Sequence, residues 1–360
     1  MKSLFFNRWF PICYLPGGNL LSYKYGSLAI INLENNEVVK KRKILTLFKE
    51  TVLAKVPPIF RFLRLGARKG IYIGNNTALV VIGKTIYEVN TDTLEFSSGY
   101  TNGISRPLKF ALSDGVEGFD DGVYWGDYFG NSQKGEVSIY KRTGEDKWQT
   151  VFTFDKGEIT HIHNVVPDKY HNCFWILTGD FDKESAIWKA TNNFKEVTPF
   201  LRGNQDYRGC VAFPVPDGLI YATDAPFQDD YIMKLKLDGE NVELKKLQPI
   251  NGSCIYGAQT SDGRLVFAST VEADGRNQSL MKFLFGKKRG AGIKDEYAYV
   301  YLGTPDNGFK TVYKAKKDWL PFSFQFGTFM FPEGVGGNNK LAFYPVAVNN
   351  GQLGTKIINI

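Results

Sequence analysis

The chain has 360 residues, 43% of them apolar and 22% charged, so it can bury a substantial core and is not a disordered polymer. Its net charge of +7 is uneven. Residues 1–70 carry thirteen Lys/Arg against three Glu, which leaves −3 on residues 71–360 and excludes a uniformly basic nucleic-acid binder.

Aromatic residues reach 15% and glycines number 37, a mixture that favours short strands and tight turns over long helices. At the N-terminus, Arg8 and Pro11 interrupt the apolar stretch of MKSLFFNRWFPICYLP, so no secretory leader is expected, and the expected location is cytoplasmic. No run of eighteen apolar residues follows, so no membrane-spanning helix is expected. A hairpin pattern then recurs: INLENNEVV around Asn35, YEVNTDTLEF around Asp92, IYKRTGEDKWQTV around Thr143 and IWKATNNFKEV around Thr191. It returns as KLKLDGENVEL around Asp238 and VYLGTPDNGFKTV around Pro305, at successive spacings of 57, 51, 48, 47 and 67 residues. A unit of about fifty residues with four strands has the period of a propeller blade. Insertions at residues 44–66 and 271–296 account for the two long intervals. A last unit has strands at 324–331, 340–346 and 354–360. A ring must close or leave an unpaired edge, so a strand within residues 2–14 is expected to complete that blade. The expected fold is all-β, a single β-propeller domain over residues 1–360. Seven four-stranded blades are favoured, with six or eight as alternatives.

Two further segments stand out. KKRKILTLFKETVLAKVPPIFRFLRLGARKG (40–70) is basic and amphipathic, and Pro57-Pro58 is expected to divide it into two short helices. Such a segment either packs its apolar face on the propeller's underside or makes a peripheral contact with an anionic membrane. The four cysteines (Cys13, Cys173, Cys210, Cys254) are widely spaced with no CxxC pair, which points to small buried thiols.

Blade topology places the beginnings of first strands and the ends of second strands on one face, where a central mouth opens. The residues expected there are Arg106, Trp125, Asp127 and Tyr128 from the third unit, and His161, His163 and Asp180 from the fourth. The fifth gives Arg208 and Asp224, and the sixth gives Tyr256 with Glu272, Asp274 and Arg276 on its inserted loop. Gln325 comes from the seventh. His161 and His163 are two of only three histidines in the chain. As a pair near the axis they could bind a metal with Asp180 or Asp127, or one could act as general base; alternatively the rings hold neighbouring loops. His171 falls in a turn at the opposite face. Asp127, Asp180 and Asp224 recur at equivalent strand ends, either as converging carboxylates or as caps of their own loops. Arg106, Arg208 and Arg276 would suit a carboxylate-bearing sugar, while Tyr128, Tyr256 and Trp125 either stack on sugar rings or pack the wall. No cofactor is expected as a requirement, and a divalent metal at His161/His163 is left open.

Three hairpin turns, TGEDKW (143–148), TNNFK (191–195) and TPDNGFK (304–310), resemble the Asp-box turn of the sialidase-like, BNR-repeat propellers. The stretch HIHNVVPDKYHNCFWILTGDFDKESAIWK (161–189), with GNQDYRG (203–209) and YATDAP (221–226), is similar to bacterial propellers of surface-polysaccharide gene clusters. The resemblance implies a carbohydrate-active propeller, a glycoside hydrolase or lyase acting on an acidic bacterial polysaccharide or its precursor. In that role His161, His163, Asp180 and Asp127 would be catalytic, and Arg208, Arg106, Asp224, Tyr128, Tyr256, Trp125 and Gln325 would bind substrate. The sialidase arginine motif and Tyr–Glu pair are not found. The alternative is a non-catalytic glycan-binding or scaffold propeller in a polysaccharide assembly at the inner membrane.

Overall fold

A computed structural model describes residues 4–44, 51–239, 241–274, 280–349 and 351–360. Seven antiparallel sheets follow one another around an axis. Blade 1 comprises Phe10–Leu15, Asn19–Lys24, Ser27–Asn32 and Glu37–Lys43. Blade 2 runs from Ala67–Gly74 to Tyr100–Thr101, and blade 3 from the divided inner strand Arg106–Pro107 and Ala111–Ser113 to Lys147–Phe154. Blades 4, 5 and 6 begin with Ile162–Asp168, Gly209–Val215 and Cys254–Thr260. Blade 7 takes Thr328–Met330, Lys340–Val346 and Gly354–Asn359 from the C-terminal end, and its fourth strand is Leu4–Asn7. That strand pairs in register Leu4 with Ile357 and Asn7 with Gly354, which closes the ring. The inner strand of this blade is shorter than the expected 324–331, because Phe322–Phe324 is a 3-10 turn.

Burial within each blade follows from its position. In blade 4 the second strand, CFWILT, is buried throughout, whereas the fourth, EVTPFLR, alternates and is largely open to solvent. A middle strand is covered on both faces by neighbouring blades, so it reads as a continuous apolar run; the outermost strand is not. The apolar clusters accordingly lie between blades rather than inside them. One unites Val137, Phe154 and Tyr124 of blade 3 with Phe174 and Trp188 of blade 4, and another joins Trp175 of blade 4 to Tyr221 and Met233 of blade 5. No blade can bury its faces alone, so ring closure is part of the core. The three Asp-box-like turns each join the third and fourth strands of a blade. All four cysteines are buried and unbridged.

The basic segment differs from expectation in part. Residues 37–43 form the outer strand of blade 1, and the two short helices expected about Pro57-Pro58 are the 3-10 turn Leu53–Lys55 and the helix Pro57–Phe62, which Pro57 opens. Proline at the first helical positions lacks only an N–H that would have no partner there, and its fixed φ suits the helix. Residues 45–50 lie outside the described residues. Nor does the described part cover the underside: Arg61 is buried against Asp318 and donates to the Phe324 carbonyl, and Arg64, Arg68 and Lys69 reach the same cavity as the histidines. Among the described residues no helix is long and apolar enough to cross a membrane.

Candidate functional site

The site is assembled by irregularities in the inner strands. In blade 4, Ile162 pairs with Thr178 and Asn164 with Leu177, so His163 is skipped as a bulge. The same skip falls on Arg68 in blade 2, Cys210 in blade 5 and Ile255 in blade 6. A bulge re-aims the extra side chain, and these four line one axial cavity of about 300 Å³, whereas Ile12, skipped in the same way in blade 1, packs in the core.

His161 and His163 form its densest polar group. Nδ1 of His161 faces the Phe129 carbonyl at 3.3 Å and Nδ1 of His163 faces the Gly209 carbonyl at 3.1 Å. A carbonyl can only accept, so both Nδ1 atoms donate and both Nε2 atoms turn inward, 3.1 Å apart. Asp180 joins them, with Oδ2 at 3.3 Å from His161 Nε2 and Oδ1 at 3.4 Å from His163 Nε2. The Tyr128 ring packs on His161 at 4.6 Å between centroids. Asp180 holds φ at 98°, which L-residues rarely adopt, and the preceding Gly179 leaves no room for a side chain: a Cβ there would lie 2.8 Å from both His163 Cε1 and Arg208 Cγ.

Arg208 binds this group to blade 5. Its Nη2 lies 2.9 Å from Asp180 Oδ1 and 3.3 Å from Asp224 Oδ2, and its Nη1 donates to the Asp180 carbonyl at 3.1 Å. The Cys210 thiol donates to Asp224 Oδ2 at 3.4 Å. Asp224 Oδ1 and Arg208 Nε are buried with no partner.

Burial opposes ionisation of Asp180, but the two imidazoles and the Arg208 guanidinium outweigh it and hold the carboxyl well below the usual carboxylate range. Arg208 is likewise kept charged, since Asp224 and Asp180 more than offset its burial. Glu272 goes the other way. Burial and the neighbouring Asp224 charge push it up to about 8. Burial and Asp224 also raise the Cys210 thiol, which therefore stays protonated.

Of the residues expected at the mouth, Arg106, Tyr128, His163, Asp180, Arg208, Asp224 and Tyr256 line the cavity, with His161 directly behind His163. Trp125, Asp127, Asp274 and Gln325 do not line it. Trp125 is fully buried between blades 2 and 3 and stacks on Tyr140 at 4.5 Å. Asp127 accepts hydrogen bonds from the Ser105 hydroxyl at 2.5 Å and the Ser138 N–H at 2.8 Å, and so ties its own loop. Gln325 donates to the Arg61 carbonyl at 3.2 Å. Arg276 lies outside the described residues, and Asp274 pairs with Lys288. His171 bonds Asp168 at 2.7 Å, away from the site. Arg64, Arg68 and Lys69 were hidden in sequence by the amphipathic reading of their segment. Glu272, expected at the mouth on the inserted loop, lines the cavity as well.

No known protein family matches the chain, and no curated protein is similar to it in sequence. Solved structures do match. The β-propeller domain of Myceliophteria thermophila Cps50 (Swd1) is similar at a TM-score of 0.56 and 7% identity, with 100% of each chain covered. A chain of a mitotic checkpoint complex is similar at a TM-score of 0.56 and 6% identity, covering 100% of this chain and 91% of that one. At such identities the likeness shows the propeller fold alone. No family match supports the narrower sialidase or BNR assignment.

Proposed function

We propose that the protein acts on an acidic glycan, taking one anionic sugar unit into the axial cavity as a hydrolase or lyase. The observation that carries this reading is the placement of Arg64 and Arg106 on the wall of a cavity of about 300 Å³ beside Glu272, Tyr128 and Tyr256. Neither guanidinium is ion-paired with a carboxylate among the described residues, and two free forks facing one space suit a sugar carboxylate. Arg208 does not take that role, since Asp180 and Asp224 already occupy it. Nor is His163 the proton carrier, because its Nε2 is engaged with His161 and Asp180.

Glu272 fits the acid instead. Glycosidic hydrolysis and β-elimination both need a proton delivered to the departing sugar oxygen, and a carboxyl raised to about 8 keeps one at neutral pH. An ionised Asp180 and a protonated Glu272 on one cavity are the divergent pair such chemistry uses. Incubation with uronate-containing polysaccharides, followed by reducing-end and unsaturated-uronate assays, tests the reading. Cleavage that disappears in Glu272→Gln is the expected result; absence of both binding and cleavage overturns it. Binding without cleavage favours the second reading, a non-catalytic glycan-binding scaffold. One structural neighbour is itself part of a multi-protein complex, and that observation supports this alternative.

A peripheral membrane contact belongs to the same proposal. Val52, Val56, Phe62 and Leu63 are exposed, with Lys55 and Arg64 among them. An apolar surface interspersed with cations suits an anionic lipid interface.

A further inference from the structure

We infer that His161, His163 and Asp180 hold a divalent first-row transition ion of the zinc class. The inference concerns the metal itself and stands whether or not a sugar binds. With both Nδ1 atoms committed to main-chain carbonyls, the two Nε2 atoms are left to face each other across 3.1 Å and to face the carboxylate of Asp180. A metal ion in place of a proton on Nε2 satisfies all three of these atoms at once. The spacing suits one. For metal–ligand bonds of about 2.0–2.1 Å, a tetrahedral site places its ligands about 3.3–3.4 Å apart. The observed separations are 3.1 Å between the imidazoles, 3.3 Å from His161 to Oδ2 and 3.4 Å from His163 to Oδ1, so each imidazole has a carboxylate oxygen at ligand distance, and one ligand atom from each residue lies within 4.8 Å of the others.

The surroundings agree. Carbonyls behind both rings supply the outer hydrogen bonds that fix a ligating tautomer, and Arg208 orients the carboxylate through Oδ1. Asp224 is 4% exposed, faces the same cavity, and its Oδ1 has no partner, as an acceptor for a metal-bound water would. Two imidazoles and one carboxylate favour zinc-class ions over Mg2+ or Ca2+, and three protein ligands leave a coordination position for water or substrate.

The test uses the full chain, stripped with chelator and titrated with Zn2+ by calorimetry and with Co2+ by visible absorption. The expected result is one ion per chain, tetrahedral Co2+ bands, and a higher melting temperature with Zn2+. His161→Gln and Asp180→Asn should each weaken binding by more than about 100-fold, because even outer-shell changes cost about 10–100-fold. His171→Gln, at the opposite end of its strand pair, should leave the ion bound. Should the site variants fail to fold, X-ray absorption of the zinc-loaded wild type decides, with two imidazoles in the ligand shell expected. Absence of stoichiometric uptake, a shell without imidazole, or binding unchanged in folded His161→Gln and Asp180→Asn overturns the inference.

Discussion

Arg208 Nη2 stands 2.9 Å from Asp180 Oδ1, so a side chain opening the inner strand of blade 5 holds the loop that ends the second strand of blade 4. The loop needs holding. At φ 98° Asp180 occupies backbone space that costs an L-residue energy, and such strain persists at functional positions because the surroundings over-determine it. Asp180→Ala and Asp180→Gly remove the same carboxylate, but only glycine relieves the backbone. Denaturant unfolding should therefore find Asp180→Gly the more stable by about 1 kcal/mol. Equal stabilities would mean that the loop is not strained.

Gly179 sits where a methyl group would meet the His163 ring and the Arg208 stem, both at 2.8 Å. Gly179→Ala should displace these two side chains while the blades persist, at an overpacking cost of about 1–3 kcal/mol. Loss of glycan binding in a variant whose far-ultraviolet circular dichroism is unchanged is the expected outcome.

Glu272 gives a pH dependence with a defined sign. Its folded value near 8 lies above the ordinary 4.5, so between those limits the folded chain keeps a proton that the unfolded chain releases. Stability then falls as pH rises from about 4.5 through 8. Glu272→Gln should lose this slope in melting temperatures recorded across that window. Turnover of an acidic glycan by the wild type should decline above pH 8 as the donor ionises.

Closure depends on Gly354, where a Cβ would stand 2.5 Å from the Phe5 ring and 2.7 Å from the Phe6 carbonyl. Backbone cannot yield as a flexible side chain can, so Gly354→Val should unseat strand Leu4–Asn7. Faster proteolysis at the N-terminus and a lowered melting temperature are expected, since the apolar clusters between blades 7 and 1 lose their cover.

Phe62 and Leu63 are 46% and 47% exposed on the helix beside the cavity mouth. Replacing both with serine should reduce sedimentation with anionic vesicles and leave stability within about 0.5 kcal/mol, as is usual for surface changes. Unchanged sedimentation would remove the membrane contact from the proposal.

What the sequence by itself determined is the ring: apolar runs, hairpin turns at near-regular intervals and a missing last strand are local or periodic features, and each blade repeats them. It also placed His163, Asp180, Arg208 and Asp224 on one face, because their positions follow from where strands begin and end. Tertiary structure decided the rest. Trp125 and Asp127 occupy strand-end positions like those of the site residues, yet packing between blades turns one into core and local hydrogen bonds make the other a loop tie. The bulges that aim Arg68, His163 and Cys210 inward break the two-residue alternation, and a skipped pairing partner leaves no mark in the chain that carries it. Arg64 gains its place only because Arg61, three residues earlier, is pinned to Asp318, a contact across more than 250 residues of chain that no local pattern encodes.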